Sequence, residues 1–380
     1  MILLLFFLAA VCVLVAQHPF VTYPLSLVLW NRVQPVPLIP VAADTWPTLS
    51  VLCCCYNEEG VIADKIENGF EAASRYPGKV EFLYFSDGSN DRTAEIFLSY
   101  GERIKPVIAA ERAGKSVGIR ELSSRASGDI LVFTDANTFI AADSLVELAK
   151  VFQDDKVGGA SGRLLYTNPD ASDTANVNSV YWKLEETIKT LESVTGSTMG
   201  ADGAFFAIRK QLHRPCPPDI IDDMHTSLNV VLEKWRFISA PSVRTFEKTP
   251  TSSMDEFQRK IRIACRAFNC YRLLSPRINA AGGEIVYKFY SHKVARWLSL
   301  CFIVLGGAFG IAALVLSGRP LVAAAVVGVL LVCALLGAMG IRPFSRLNEI
   351  VLSLVAVSLG VVESLRGKRY QTWKIARSGR

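Results

Sequence analysis

The sequence predicts an α/β domain built on a mostly parallel sheet, set between N-terminal and C-terminal transmembrane helices. Three observations carry this. Long apolar runs without charge lie towards both ends of the 380-residue chain. The middle, residues 45–275, is rich in charge and broken by Gly, Pro and Asn. Within that middle, short apolar runs alternate with longer amphipathic stretches. This order of strand, helix, strand gives parallel sheets covered on both faces.

The elements follow in chain order. Residues 1–16, MILLLFFLAAVCVLVA, carry no charge. They lack the basic start and A-x-A-like site of a cleaved leader, so residues 1–30 read as a retained membrane anchor, with Pro19 and Pro24 as kinks. Pro35, Pro37, Pro40 and Pro47 make 31–47 a stiff linker. The α/β domain is expected over 48–275. It opens with strand 48–55, helix 59–75, strand 80–86, helix 91–101, strand 105–109, helix 114–126, strand 129–134 and helix 142–153. Strand 157–166, helix 173–193, strand 203–208, helix 222–234, strand 236–246 and a long helix 254–274 complete it.

Residues 276–296 are expected at the membrane interface. Residues 298–318, 320–341 and 350–362 are uncharged. Spans near 20 apolar residues match the roughly 30 Å hydrocarbon core, so 297–365 read as membrane helices. Residues 366–380 form a basic tail. The basic segments YKFYSHKVARW and RGKRYQTWKIARSGR place themselves, and the large domain, on the cytoplasmic side of a multi-pass protein of the cell membrane. One anchor followed by three late spans would leave the tail on the far side. One late segment is therefore either interfacial or re-entrant.

Composition narrows the function. The chain is 51% hydrophobic and 20% charged, which is apolar for a soluble enzyme and fits a lipid bilayer as partner. The net charge of +6 suits an anionic leaflet and anionic substrates. No motif supports nucleic-acid binding. The nine cysteines include no C-x-x-C pair, and they read as small buried hydrophobes in a reducing compartment.

Polar residues gather where the strands end. LSVLCCC runs into Tyr56-Asn57-Glu58-Glu59, EFLYF into Ser86-Asp87-Gly88-Ser89-Asn90-Asp91, and ILVFT into Asp135-Ala136-Asn137. Each is good turn chemistry by itself. In a parallel sheet all three ends fall on one edge, where open α/β sheets bind ligands.

The ordered series of motifs resembles family 2 glycosyltransferases, which are inverting, nucleotide-sugar-dependent enzymes of GT-A fold. YNEE, SDGSNDRT, RAGKSVGIRELSSRASGDILVFTDAN, GADGAFFAIRK, IDDMHTSL and RKIRI carry the resemblance, over 48 to about 266. It implies that Tyr56, Asn57, Glu58 and Asp87 take part in binding the donor nucleotide, with Asp87 on the base. It implies Asp223 as the catalytic base, with Asp222 orienting or capping the helix. Cellulose, hyaluronan and poly-N-acetylglucosamine synthases share this pattern.

The chemistry accords with these residue types. A diphosphate leaving group calls for a hard cation, Mg²⁺ or Mn²⁺, with oxygen ligands. Asp135 and Asn137 supply them, although an amide stands where a second Asp is usual. Inversion needs a carboxylate to take the acceptor proton. Arg259 and Arg262, three residues apart on one helix face, suit the diphosphate, as does Lys115 at a helix start. Gly200, Asp202 and Gly203 either form the acceptor wall or make a turn. Ile263 replaces the Trp expected for stacking a growing glycan, which weakens the case for processive synthesis. Trp373 belongs either to a family tail signature or to a basic membrane-surface helix. The expected function is transfer from a nucleotide sugar, most simply a UDP-sugar, to a growing polysaccharide. A membrane lipid of ceramide or polyprenyl type is the alternative acceptor, and a non-catalytic nucleotide-sugar-binding protein is the remote one.

Overall fold

In a computed structural model of the chain, residues 1–34 and 46–372 are described. Pro35, Pro37, Pro40 and Trp373 lie outside the described residues, so the stiff linker and most of the basic tail are not among them.

Two helices begin the chain, α1 (Ile2–Gln17) and α2 (Thr22–Val33), bent by 63° at the break between them. Pro19 lies in that break. Pro24 does not kink the chain as expected, because it sits in the first turn of α2, where its missing N–H has no intrahelical partner to lose.

The domain contains, among the described residues, an eight-stranded sheet of order β3-β2-β1-β4-β7-β6-β8-β5. Its strands are β1 (Leu49–Cys55), β2 (Val80–Asp87), β3 (Lys105–Ala109), β4 (Ile130–Asp135), β5 (Phe139–Ile140), β6 (Val157–Tyr166), β7 (Phe205–Arg209) and β8 (Arg236–Glu247). β1 to β4 run parallel. β7 opposes both β4 and β6, and β8 runs parallel to β6. The two reversals return β6 and β8 to the direction of β4. The carboxyl ends of six strands and the amino end of β7 therefore share one edge. The two-residue β5, which sequence periodicity cannot reveal, pairs antiparallel with β8 and folds the chain after Asp135 onto that strand.

Alternation within β1 shows why the sheet is covered twice. Val51, Cys53 and Cys55 pack on one face with Ile62 and Ile66 of α3 (Ile62–Ser74) and Phe97 of α4 (Thr93–Ser99). Leu145 and Leu148 of α6 (Ser144–Val151) join them. Leu52 and Cys54 pack on the other face with Ile119 and Leu122 of α5 (Lys115–Arg125), Leu228 of α8 (Asp222–Leu232) and Cys270 of α9 (Ser253–Ala280). All nine cysteines are free; seven are buried, whereas Cys301 is exposed and Cys333 half-buried.

The expected boundary at 275 falls inside α9, which continues through Pro276 to Ala280. Pro276 has no N–H for the Arg272 carbonyl, and the Ser275 hydroxyl donates to that carbonyl instead at 3.4 Å. Beyond it lie α10 (Gly283–Phe289), α11 (Ala295–Leu316), α12 (Pro320–Ala338) and α13 (Phe344–Leu365). Among the described residues three helices are long and apolar enough to cross a membrane, or four if the bent pair α1–α2 counts as one span. α1 packs on α11 through Cys12 and Gly306.

α13 behaves differently from α11 and α12. Near its start, Arg342 Nε and Ser345 Oγ bond Asp173, the first residue of α7 (Asp173–Val194), at 2.8 and 2.6 Å. Near its end, Ser364 Oγ donates to Asn269 of α9 at 2.5 Å. Between the two, Lys260 of α9 donates to Ser353 at 2.7 Å. The helix lies along the α/β domain with both ends tied to it, and the residues after it return to that domain: Arg369 pairs with Asp219 at 3.4 Å. Gly360 permits the close approach. A Cβ there would stand 2.5 Å from the Ile261 carbonyl and 2.6 Å from Ala264 Cβ. Gly360→Val is expected to cost about 1–3 kcal/mol by overpacking. The thermal midpoint in detergent falls, whereas Gly328→Val in α12, where nothing lies within 4 Å, leaves it unchanged.

Candidate active site

The shared sheet edge opens on a cavity of about 1980 Å³. Eleven of the expected site residues line it: Glu58, Lys115, Asp135, Asn137, Gly200, Asp202, Gly203, Asp222, Asp223, Arg259 and Arg262. The cavity does not end at the domain. Val13 and Phe20, at α1 and just beyond it, Ile303 of α11, and Ile350, Leu354 and Val357 of α13 continue its wall into the apolar helices.

Lys115 ties the acids together. Its Nζ lies 2.8 Å from Asp135 Oδ1 and 3.2 Å from Asp222 Oδ2. Burial by itself would favour the neutral amine. The two carboxylates overcome it and hold the ammonium well above its usual range. Asp222, buried at the first position of α8, is stabilised as the anion in return. Lys115 and Arg266 outweigh its burial and hold it below the usual carboxylate range. Asp223 meets the opposite fate. Burial, and then the charge of Asp222, push its carboxyl up to about 7. The neighbouring acids thus separate into a fixed anion and a group that exchanges its proton near neutrality. Gly203 makes room for the second: a Cβ there would stand 2.6 Å from Asp223 Oδ2.

Cations gather opposite. Burial, then Arg259, Arg266 and Arg112, lower Arg262 to about 10. Among the described residues no carboxylate lies within 4.0 Å of Arg262. Arg259, one turn before it, pairs with Glu256 at 3.4 Å. An unpaired guanidinium among other guanidiniums suits a polyanion such as a diphosphate. Arg266 is buried and braces the wall, donating to the Ile220 carbonyl at 2.6 Å.

Three expected residues lie outside the cavity. Asp87 is fully buried, and its oxygens accept from the N–H groups of Ala113 at 2.7 Å and Gly114 at 3.0 Å. Its carboxylate thereby shapes the loop that leads through Arg112 to Lys115. Tyr56 lies under Arg112, whose guanidinium carbon is 3.5 Å from the ring centre. Asn57, at φ 54°, stitches the end of β1 to the β2 loop. Its N–H donates to Ser89 Oγ at 3.1 Å and its Oδ1 accepts from the Asn90 N–H at 2.9 Å.

Among the cavity residues that sequence reasoning missed, Arg112 and Glu247 stand beside the expected ones. Arg112 opens the RAGKSVG motif three residues before Lys115 but was given no role there. Glu247 ends β8 on the edge that holds Asp135, and Asn137 Nδ2 donates to its Oε1 at 2.9 Å. Burial, then Asp135 and Asp202 against the opposing Arg259, push Glu247 up to about 7. The rule that polar groups collect at strand ends would have found it, had the direction of β8 been known.

Comparison with known proteins agrees with this architecture. Residues 50–215 match the model of Glycosyl transferase family 2. An N-acetylglucosaminyltransferase of Rhizobium sp. (strain N33) is 25% identical over 245 residues, 60% of this chain and 54% of that protein. A beta-monoglucosyldiacylglycerol synthase of Trichormus variabilis is 25% identical over 199 residues, 50% of this chain and 42% of that protein. The chain thus spans about half the length of these curated relatives. A mannosyltransferase from Pyrobaculum calidifontis, solved in complex with GDP-Man and Mn²⁺, superposes with a TM-score of 0.73 at 22% identity, over 96% of this chain and all of that one. The strand order, the cavity at the sheet edge and the matched segment together give residues 50–215 the likeness of glycosyl transferase family 2, within a GT-A-like α/β domain.

Proposed function

We propose that the chain is an inverting hexosyltransferase that moves a sugar from a nucleoside-diphosphate donor to the hydroxyl of a membrane lipid. The observation that carries this reading is the continuity of the cavity, from Asp135 and Asp223 to the apolar side chains of α1, α11 and α13. A growing glycan, the acceptor first expected, calls for a polar wall with aromatic stacking platforms. The wall here is apolar on the membrane side, where Val13, Ile303, Ile350, Leu354 and Val357 outnumber the rings of Phe20 and Trp297, and Ile263 adds no ring. One relative is named for a diacylglycerol product. Both ends of α13 rest on the domain, so we read it as the interfacial segment. α11 and α12 then form a hairpin, and the tail returns to the side of the domain.

The donor set accepts a hard divalent cation. Asp135 brings a carboxylate, and Asn137 brings an amide oxygen that accepts no hydrogen bond among the described residues. Among those residues no three His, Cys, Asp or Glu side chains cluster as ligands, so amide and diphosphate oxygens have to complete the shell. Held by Asp135 and Asn137, Mg²⁺ or Mn²⁺ would supply charge neutralisation for a departing diphosphate. Arg262, Arg259 and Lys115 bind the same diphosphate. Asp223 takes the proton of the acceptor hydroxyl as the oxygen attacks the anomeric carbon, opposite the leaving group. Asp222 stays ionised and holds Lys115.

The test is to incubate membranes containing the protein with a panel of radiolabelled UDP- and GDP-sugars, then extract with butanol. Label is expected in the butanol phase and is lost with Asp223→Asn. Label confined to insoluble polymer would overturn the lipid acceptor and favour the polysaccharide.

A further inference from the structure

We propose that Glu247 is a third protein ligand of the divalent-cation site and supplies the negative charge that Asn137 lacks. The inference rests on the metal reading above. A D-x-N pair brings one carboxylate where D-x-D brings two, so a doubly charged cation would be half neutralised by the chain. The fold makes up the deficit from elsewhere in the sequence. Two strand reversals bring the carboxyl end of β8 to the edge where β4 ends, and β5 pairs Phe139 with Phe246. That register sets Asn137 against Glu247, amide nitrogen to Oε1 at 2.9 Å. The hydrogen bond commits the amide nitrogen to Glu247 and leaves the amide oxygen for the cation.

Glu247 itself calls for a cation. It lines the cavity, and among the described residues no Lys, Arg or His nitrogen lies within 4.0 Å of its carboxylate. An enclosed carboxylate without a cationic partner is costly and uncommon. Arg259 pairs with Glu256 rather than with it. Asp135, the Asn137 amide and Glu247 make an all-oxygen set whose two carboxylates balance a charge of +2, as Mg²⁺ and Mn²⁺ prefer.

Glu247→Gln separates this role from a structural one. Glutamine still accepts the hydrogen bond from Asn137 and keeps the side-chain volume, but removes the charge. The readout is Mn²⁺ affinity of the detergent-solubilised full chain, by electron paramagnetic resonance of free Mn²⁺, with the metal alone and with UDP or GDP added. Glu247→Gln is expected to weaken Mn²⁺ binding on the order of 10–100-fold, the range seen when support for a metal site is removed. Adding Asn137→Asp to that variant restores binding to within about threefold of the parent. Without metal, Glu247→Gln melts no lower than the parent, because it removes an uncompensated charge. Unchanged Mn²⁺ affinity in Glu247→Gln, in a parent that binds Mn²⁺, would overturn the inference and leave the metal reading standing. A parent that binds no Mn²⁺ even with nucleotide would overturn both.

Discussion

Asp223→Asn lowers kcat by about 10²–10⁴-fold, the range that a positioned general base contributes. The KM for the donor stays within about threefold, because the lost group touches the acceptor and not the diphosphate. Asparagine preserves the shape of the buried site, and its side-chain oxygen still faces the Met224 N–H that Asp223 Oδ1 accepts at 2.5 Å. A fold defect is therefore not expected, and circular dichroism with thermal melting in detergent checks that. The pH profile gives a second readout. A base works only when ionised, and burial with the charge of Asp222 holds this carboxyl up at about 7. Between pH 5 and 8, kcat/KM for the parent should therefore climb with pH, passing half its plateau near 7 and levelling off only towards about pH 8. An ordinary carboxylate would already be level at pH 5. A flat profile, or an Asp223→Asn variant with parental kcat, removes Asp223 from the role.

Asp135→Ala is the second large effect. Cation stabilisation of a leaving diphosphate amounts to several kcal/mol, which is on the order of 10³-fold in rate. The variant loses that and its metal affinity together. It also leaves Lys115 with Asp222 as its remaining close carboxylate, the other being the 2.8 Å contact to Asp135. Lys115 is then drawn towards the acid pair, and the optimum pH of residual activity shifts downward, because an ammonium nearer Asp223 favours its ionised form. Treatment of the parent with EDTA should abolish turnover, and excess Mn²⁺ or Mg²⁺ should restore it. Retention of full turnover after chelation would separate Asp135 from any metal role.

The strand ends were legible in the sequence because two kinds of local chemistry coincide there. Runs such as LSVLCCC and DILVFT suit strands buried on both faces, and the residues after them are turn formers. Local physics therefore places Asp135 and Asn137 at the edge of the sheet. It also starts α8 at Asp222, where two acids favour a helix N-terminus. Long-range pairing was not legible. Nothing in residues 139–140 announces a strand, yet their pairing with β8 brings Glu247 to Asn137 across 110 residues of chain. Asp87 illustrates a different limit. The sequence shows an acid at a strand end, but not that the Ala113–Gly114 backbone closes over it. The long helix α9 outran its expected end because the Ser275 hydroxyl offsets the proline that follows it. The unequal roles of the late apolar helices were hidden too. Hydropathy offers three candidates, and contacts such as Gly360 on α9 and Arg342 on Asp173 distinguish α13 from α12.

The most direct measurement is a cryo-electron microscopy or crystal structure of the full chain with Mn²⁺ and a non-hydrolysable UDP- or GDP-sugar. A metal peak is predicted within about 2.0–2.6 Å of an Asp135 oxygen, with the diphosphate between it and Arg262 and the anomeric carbon facing Asp223. Nucleotide density away from this cavity, with Lys115 still seated on Asp135, would contradict the account.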